Sequence, residues 1–115
     1  PIDISAIFNG SDLAIMAGGM ATYEAACCEL PMILISIANN QVPQSIAWHK
    51  LGIANYLGRH GMVKRSQLRN SFLMYCKRKS INLVVKTNVR VVDGLGATRV
   101  AKCIAAEIEA KEIEL

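Results

Sequence analysis

An α/β fold, with a parallel sheet flanked by helices, is predicted for this 115-residue chain by three observations. Short apolar runs alternate with segments of helical character, one helix per strand, as successive β-α-β units require. The run "MILISI" is continuously apolar, as a strand covered on both faces must be. The composition is 52% hydrophobic and only 19% charged, rich in Ala, Ile, Leu and Val and poor in aromatics. That balance suits buried strands under Ala-rich helices. The length is enough for one domain with its own core, and no repeat, low-complexity tract or linker divides it, so residues 1–115 are read as a single domain.

The elements follow in order. Residues 2–9, "IDISAIFN", are expected to form a short helix closed by Gly10. "DLAIMA" (12–17) reads as a strand. "ATYEAACCE" (21–29) reads as a helix stopped before Pro31, since proline lacks the N–H that a continuing helix needs. "MILISI" (32–37) is the buried strand, bounded by Pro31 and "ANN". "PQSIAWHKL" (43–51) has Pro43 in its first turn and Gly52 past its end, the usual asymmetry of helix termini. Ile46, Ala47, Lys50 and Leu51 mark its expected face. "IANYL" (53–57) reads as a strand ended by Gly58. From Ser66, "SQLRNSFLMYCKR" reads as a helix with Leu68, Phe72, Tyr75 and Cys76 at helical spacing. "INLVVKTN" (81–88) stays ambiguous: its β-branched residues favour a strand, its position a connection between helices. "GATRVAKCIAAEIEAKEIEL" (96–115) reads as a final helix with Val100, Cys103, Ile104, Ile108 and Ile113 toward one side.

Charge is unevenly spread. Residues 1–58 carry a net −3, residues 59–102 a net +10 and residues 103–115 a net −3. A basic middle raises the possibility of a nucleic-acid-binding module. The segment "YCKRKS" shows no interleaved aromatic pattern for base stacking, so a solvated helix face is the preferred reading and nucleic acid is not expected as a partner. Cys27, Cys28, Cys76 and Cys103 form no C-x-x-C pair and no Cys/His spacing that fits zinc, so no metal site is expected. Free thiols in a presumed buried helix fit a reducing compartment rather than a disulfide scaffold. The sequence begins at Pro1 and is expected to carry no leader, and no apolar run reaches the roughly 20 residues of a membrane helix. The expectation is a cytoplasmic fragment of a longer protein, without a membrane span.

In open α/β sheets ligands sit beyond the carboxyl ends of the strands. Three loops qualify: Ala17–Thr22, Ile37–Gln41 and the loop after Leu57. In the first, "AGGMAT", glycines let the backbone approach a phosphate without a Cβ in the way. The helix start behind them offers unpaired N–H groups, Thr22 adds a hydroxyl, and Glu24 is placed to accept ribose hydroxyls. The alternative is an ordinary turn that uses Gly for positive φ. Neither G-x-x-x-x-G-K-[ST] nor G-x-G-x-x-G is present, so neither a P-loop NTPase nor a Rossmann dehydrogenase is supported. In the second loop Asn39, Asn40, Gln41 and Gln44 supply amides that suit sugar hydroxyls and acetamido groups; the alternative is a polar turn with a helix cap. His49 and His60 read as structural or exposed. Ser36 has no identifiable base, so no catalytic residue is assigned to this chain.

The order "SDLAIMAGGMATYEAACCELPMILISIANNQ", then "AWHKLGIANYLG", then "VVDGLGATRVAKCI", resembles the C-terminal domain of the PseG/SpsG family. These are UDP-sugar hydrolases and polysaccharide-biosynthesis proteins related to the glycosyltransferase MurG. The motifs are short, but four of them fall in order along nearly the whole chain. The resemblance implies a Rossmann-like domain, the C-terminal half of a GT-B fold, that binds UDP. Gly18, Gly19, Met20, Ala21 and Thr22 would hold the diphosphate and Glu24 the ribose, while Asn40, Gln41 and Gln44 would face the sugar. Asp93, Gly94, Gly96 and Arg99 match a closing motif expected to shape the last turn and its helix. Met20 replaces the family's usual small or hydroxyl residue, Asn39 its frequent Asp, and Glu29-Leu30 precedes Pro31 where Gly usually does.

The implied reaction is attack of water at the anomeric carbon of a UDP-diacetamido-trideoxyhexose, with UDP leaving, in nonulosonic acid or surface-polysaccharide biosynthesis. The family's base is a His in an N-terminal domain not contained in these residues, so this chain alone is expected to bind nucleotide and catalyse nothing. No cofactor is implied. The donor-binding half of a MurG-like glycosyltransferase, and a non-catalytic interaction domain, are the alternatives.

Overall fold

The computed structural model describes residues 2–80 and 92–114. The elements run α1 (Ile4–Asn9), β1 (Ala14–Met16), α2 (Ala21–Cys27), β2 (Met32–Ser36), α3 (Gln41–Lys50), β3 (Ala54–Arg59), α4 (Arg65–Ser80) and α5 (Gly96–Glu114). β1, β2 and β3 form a parallel sheet in that spatial order. The α/β, Rossmann-like arrangement expected from the sequence is therefore present. The ambiguous segment 81–88 and the Ile113 side chain lie outside the described residues.

The sheet has two differently covered faces. Met32, Leu34 and Ala54, with Ala14, Met16 and Tyr56, pack against Ala25, Ala26 and Leu30 from the α2 region and Trp48 and Ile53 from the α3 region. On the other face Ile15, Ile33 and Asn55 lie in register. There α4 closes on β3: the Asn55 side-chain amide donates to Ser71 Oγ at 2.7 Å, and the Tyr75 hydroxyl donates to the Met32 carbonyl at 3.1 Å. Ile33 is fully buried, whereas Ile15 on the edge strand is half exposed. Both faces of β2 are covered, which is why its sequence is continuously apolar rather than alternating.

Several details depart from the sequence-based reading. Gly58 does not end β3. Leu34 pairs with Tyr56 but Ile35 pairs with Gly58, so β3 carries one extra residue. Gly58 adopts φ +128°, and this bulge lets the strand continue to Arg59. The buried residues of α3 are Ser45 and Trp48, while Ile46, Ala47, Lys50 and Leu51 are exposed. On α4 the inner positions are Leu68, Ser71 and Tyr75, with Phe72 and Cys76 turned out. The described side chains of α5 are all exposed. Cys27 and Cys28 are half-buried, not core, and all four cysteines are free thiols.

Helix ends are well specified. Asp3 caps α1 by accepting from the Ala6 amide at 3.2 Å. α3 closes with Gly52 N–H to His49 O and Ile53 N–H to Trp48 O, the paired bonds of a Schellman motif. α2 closes by the same pattern, Glu29 N–H to Ala26 O and Leu30 N–H to Ala25 O. Its left-handed position, however, is occupied by Glu29 at φ 56°. Among the described residues no helix is long and apolar enough to cross a membrane.

Candidate functional site

Parallel pairing brings the loops after β1 and β2 to one edge of the sheet. The loop after β3 joins them there: the His60 amide donates to the Ser36 carbonyl at 2.9 Å. Arg59 and His60 are exposed at this edge.

The glycine turn is built by packing rather than by unusual dihedral angles. Neither Gly18 nor Gly19 has positive φ, so the ordinary-turn explanation for two glycines fails. Gly18 is buried, and a Cβ on it would overlap Ser45 Oγ and lie 3.3 Å from the Gln41 carbonyl oxygen. Its missing side chain lets the turn rest directly on α3. Gly19 differs: the nearest atom to a Cβ there is Gln41 Nε2 at 3.5 Å, an ordinary contact. Among the described residues nothing packs closely enough to require glycine at that position.

Gln44 ties the turn to α3. Its Nε2 donates to Gly18 O at 3.1 Å, Gly19 O at 2.9 Å and Thr22 Oγ1 at 2.8 Å. Two of these partners are carbonyls that can only accept, which fixes the orientation of the amide. Thr22 is fully buried, donates to Gly19 O at 2.6 Å and accepts from Trp48 Nε1 at 3.0 Å as well as from Gln44. Its hydroxyl, read from sequence as a phosphate donor, is thus spent inside the turn. The Gln44 amide nitrogen, read as facing a sugar, is spent there too. Trp48 is in turn held by the Tyr23 ring, edge to face at 5.2 Å. A groove of about 270 Å³ runs beside this pair, lined by Tyr23, Gln44, Ala47, Trp48 and Leu51.

The remaining site residues face outward. Thr22 and Tyr23 amides turn back to Gly19 O and Met20 O at 3.2 and 3.1 Å. The amides of Gly19, Met20 and Ala21 meet no acceptor among the described residues. Met20, in the cap position of α2, is 78% exposed and contributes no side-chain cap. Glu24 is exposed in the first turn of α2. Asn40 is exposed and makes no side-chain cap bond to α3. Gln41 Oε1 accepts from the Ile37 amide at 2.9 Å, bracing the second loop.

Other reactive side chains are engaged elsewhere. His49 Nδ1 accepts from the Tyr56 amide at 3.0 Å, and Ser36 Oγ bonds Tyr56 OH at 2.8 Å. A larger cavity of about 320 Å³, lined in part by His49, Gly52 and Ala54, lies at the start of β3, remote from the glycine turn. The closing motif forms a clamp. Asp93 accepts from the Leu95 amide at 2.9 Å and pairs with both terminal nitrogens of Arg99. The Arg99 hydrogen bonds, followed by that of the Leu95 amide, hold the Asp93 carboxyl down at about 2. The same pairing raises Arg99 further. A Cβ on Gly94 would lie 3.2 Å from Cys27 Sγ, so this turn sits against the end of α2.

Ser45 and Trp48 were missed by the sequence reading. The signal was available: Gln41, Ser45 and Trp48 stand at i, i+4 and i+7, one helical face. Its polar members drew attention instead to the more apolar neighbouring stripe.

No protein-family model matches the chain. A stretch of 53 residues is 36% identical to a Helicobacter pylori protein named pseudaminic acid cytidylyltransferase and UDP-2,4-diacetamido-2,4,6-trideoxy-beta-L-altropyranose hydrolase. The similarity takes in 46% of this chain and 10% of that much longer protein.

Proposed function

We propose that this chain serves pseudaminic acid biosynthesis as the UDP-binding part of a nucleotide-sugar hydrolase, the C-terminal half of a GT-B fold. The observation that carries the reading is Gly19. Gly18 is glycine because α3 lies against it; among the described residues Gly19 has no such internal reason, and a bare backbone beside amides that meet no acceptor among those residues suits an anion arriving from outside. The hydrolase and pseudaminic acid named for the Helicobacter pylori protein support the same substrate class.

In this reading the amides of Gly19, Met20 and Ala21 receive the diphosphate and steady the charge that grows on it as UDP departs. Thr22, Gln44 and Trp48 act behind them, holding the turn in shape before the ligand arrives. Glu24 accepts the ribose hydroxyls, and Asn40 and Gln41 line the sugar side. The base that activates water belongs to another domain of a longer protein, so the chain binds without turnover.

The test is a titration of the isotopically labelled chain with UDP, followed by amide chemical shifts. Shifts at Gly18, Gly19, Met20, Ala21 and Glu24 are expected. Gly19→Ala should leave the spectrum otherwise native and weaken UDP about tenfold, because its methyl group stands where the diphosphate meets the bare backbone. No shift at millimolar UDP overturns the reading.

A further inference from the structure

Two exposed helix stripes are complementary to each other. On α5, Val100, Ile104 and Ile108 recur every fourth residue and are each more than half exposed. Glu107 flanks them, and the last ten residues of the helix hold four Glu against one Lys. On α4, Phe72, Leu73 and Cys76 form an exposed stripe that continues toward the helix start into Arg65 and Arg69. The charge contrast is sharp. From Leu30 to Val92 the chain has ten Lys and Arg and no Asp or Glu. Neither stripe is covered by the other within the chain, since the described residues of both remain exposed.

We propose that two copies of the chain associate reciprocally, α5 of each lying antiparallel along α4 of the other. Antiparallel packing sets the acidic end of α5 beside Arg65 and Arg69, and it sets Val100 near Cys76. A single chain carries both halves of this match, so a two-fold pairing uses each surface once and closes. Nineteen residues make α5 about 28 Å long, enough to span the stripe on α4. The basic stretch gains counter-charges that its own 63 residues lack, and the apolar stripes leave water on both sides.

The experiment is sedimentation velocity on the full 115-residue chain across micromolar concentrations. A monomer–dimer equilibrium is expected. Ile104→Glu should raise the dissociation constant at least tenfold with unchanged circular dichroism, because the residue is exposed in the monomer. Arg69→Glu should weaken the dimer comparably, and the pair Arg69→Glu with Glu107→Arg should recover most of the loss. A chain that stays monomeric at several hundred micromolar overturns the proposal. So does a dimer indifferent to Ile104→Glu, a charge exchange without recovery, or a monomer whose α5 amides are protected from hydrogen exchange by its own α4.

Discussion

A methyl group on Gly18 would overlap Ser45 Oγ and crowd the Gln41 carbonyl. Gly18→Ala should therefore cost ~1–3 kcal/mol, the usual range for overpacking a close contact. In a Ser45→Ala background the same substitution should cost less, because the overlapping oxygen is gone, and the difference is measurable by urea denaturation of the four variants. Glu29 is the opposite case. It holds a left-handed dihedral that side chains resist, so Glu29→Gly should raise stability by about 1 kcal/mol in the same assay. At this scale the sequence was legible in part. That "GG" matters was readable; that the two glycines matter for different reasons was not. The distinction depends on which atoms of α3 come within contact distance of each.

Elements show the same division. Pro43 and Gly52 locate α3 to within a few residues, but its inner face is not the one its apolar spacing suggests. Ile46 and Leu51 are outside, while Ser45 and Trp48 are inside. The neighbour of α3 at that point is a glycine turn with carbonyls to satisfy, so a small hydroxyl and an indole N–H pack there better than aliphatic chains. The periodicity likewise locates α5, but its apolar side is exposed among the described residues. Its entry is governed by Asp93. The folded carboxyl titrates at about 2, below its ordinary 3.8, because Arg99 and the Leu95 amide favour the charged form. The clamp's contribution to stability is thus fully present above the ordinary value and lost as pH falls through about 2. Carbon-detected titration of Asp93 should give that midpoint, and Arg99→Ala should return it most of the way to the ordinary carboxylate value.

Across the whole molecule, the two helical layers are fastened to the sheet by different means. α2 and α3 are joined to it by apolar burial around Met32, Leu34 and Trp48. α4 adds side-chain bonds, among them Asn55 to Ser71 and Tyr75 to the Met32 carbonyl. Tyr75→Phe should lower stability by ~0.5–1.5 kcal/mol, one net hydrogen bond, seen as a reduced midpoint in thermal unfolding. The α/β class, the order of elements and the helix stops follow from the amino-acid sequence alone. Those rest on local properties: apolar run length, helical spacing, and what Pro and Gly permit. Long-range contacts, by contrast, make Gly58 a bulge within β3 and set Thr22 and Gln44 behind the glycine turn as its braces. Those contacts also show that, among the described residues, nothing packs closely enough on Gly19 to require glycine. Each of those depends on a partner 22 to 26 residues away, and no local pattern records which distant atom will arrive.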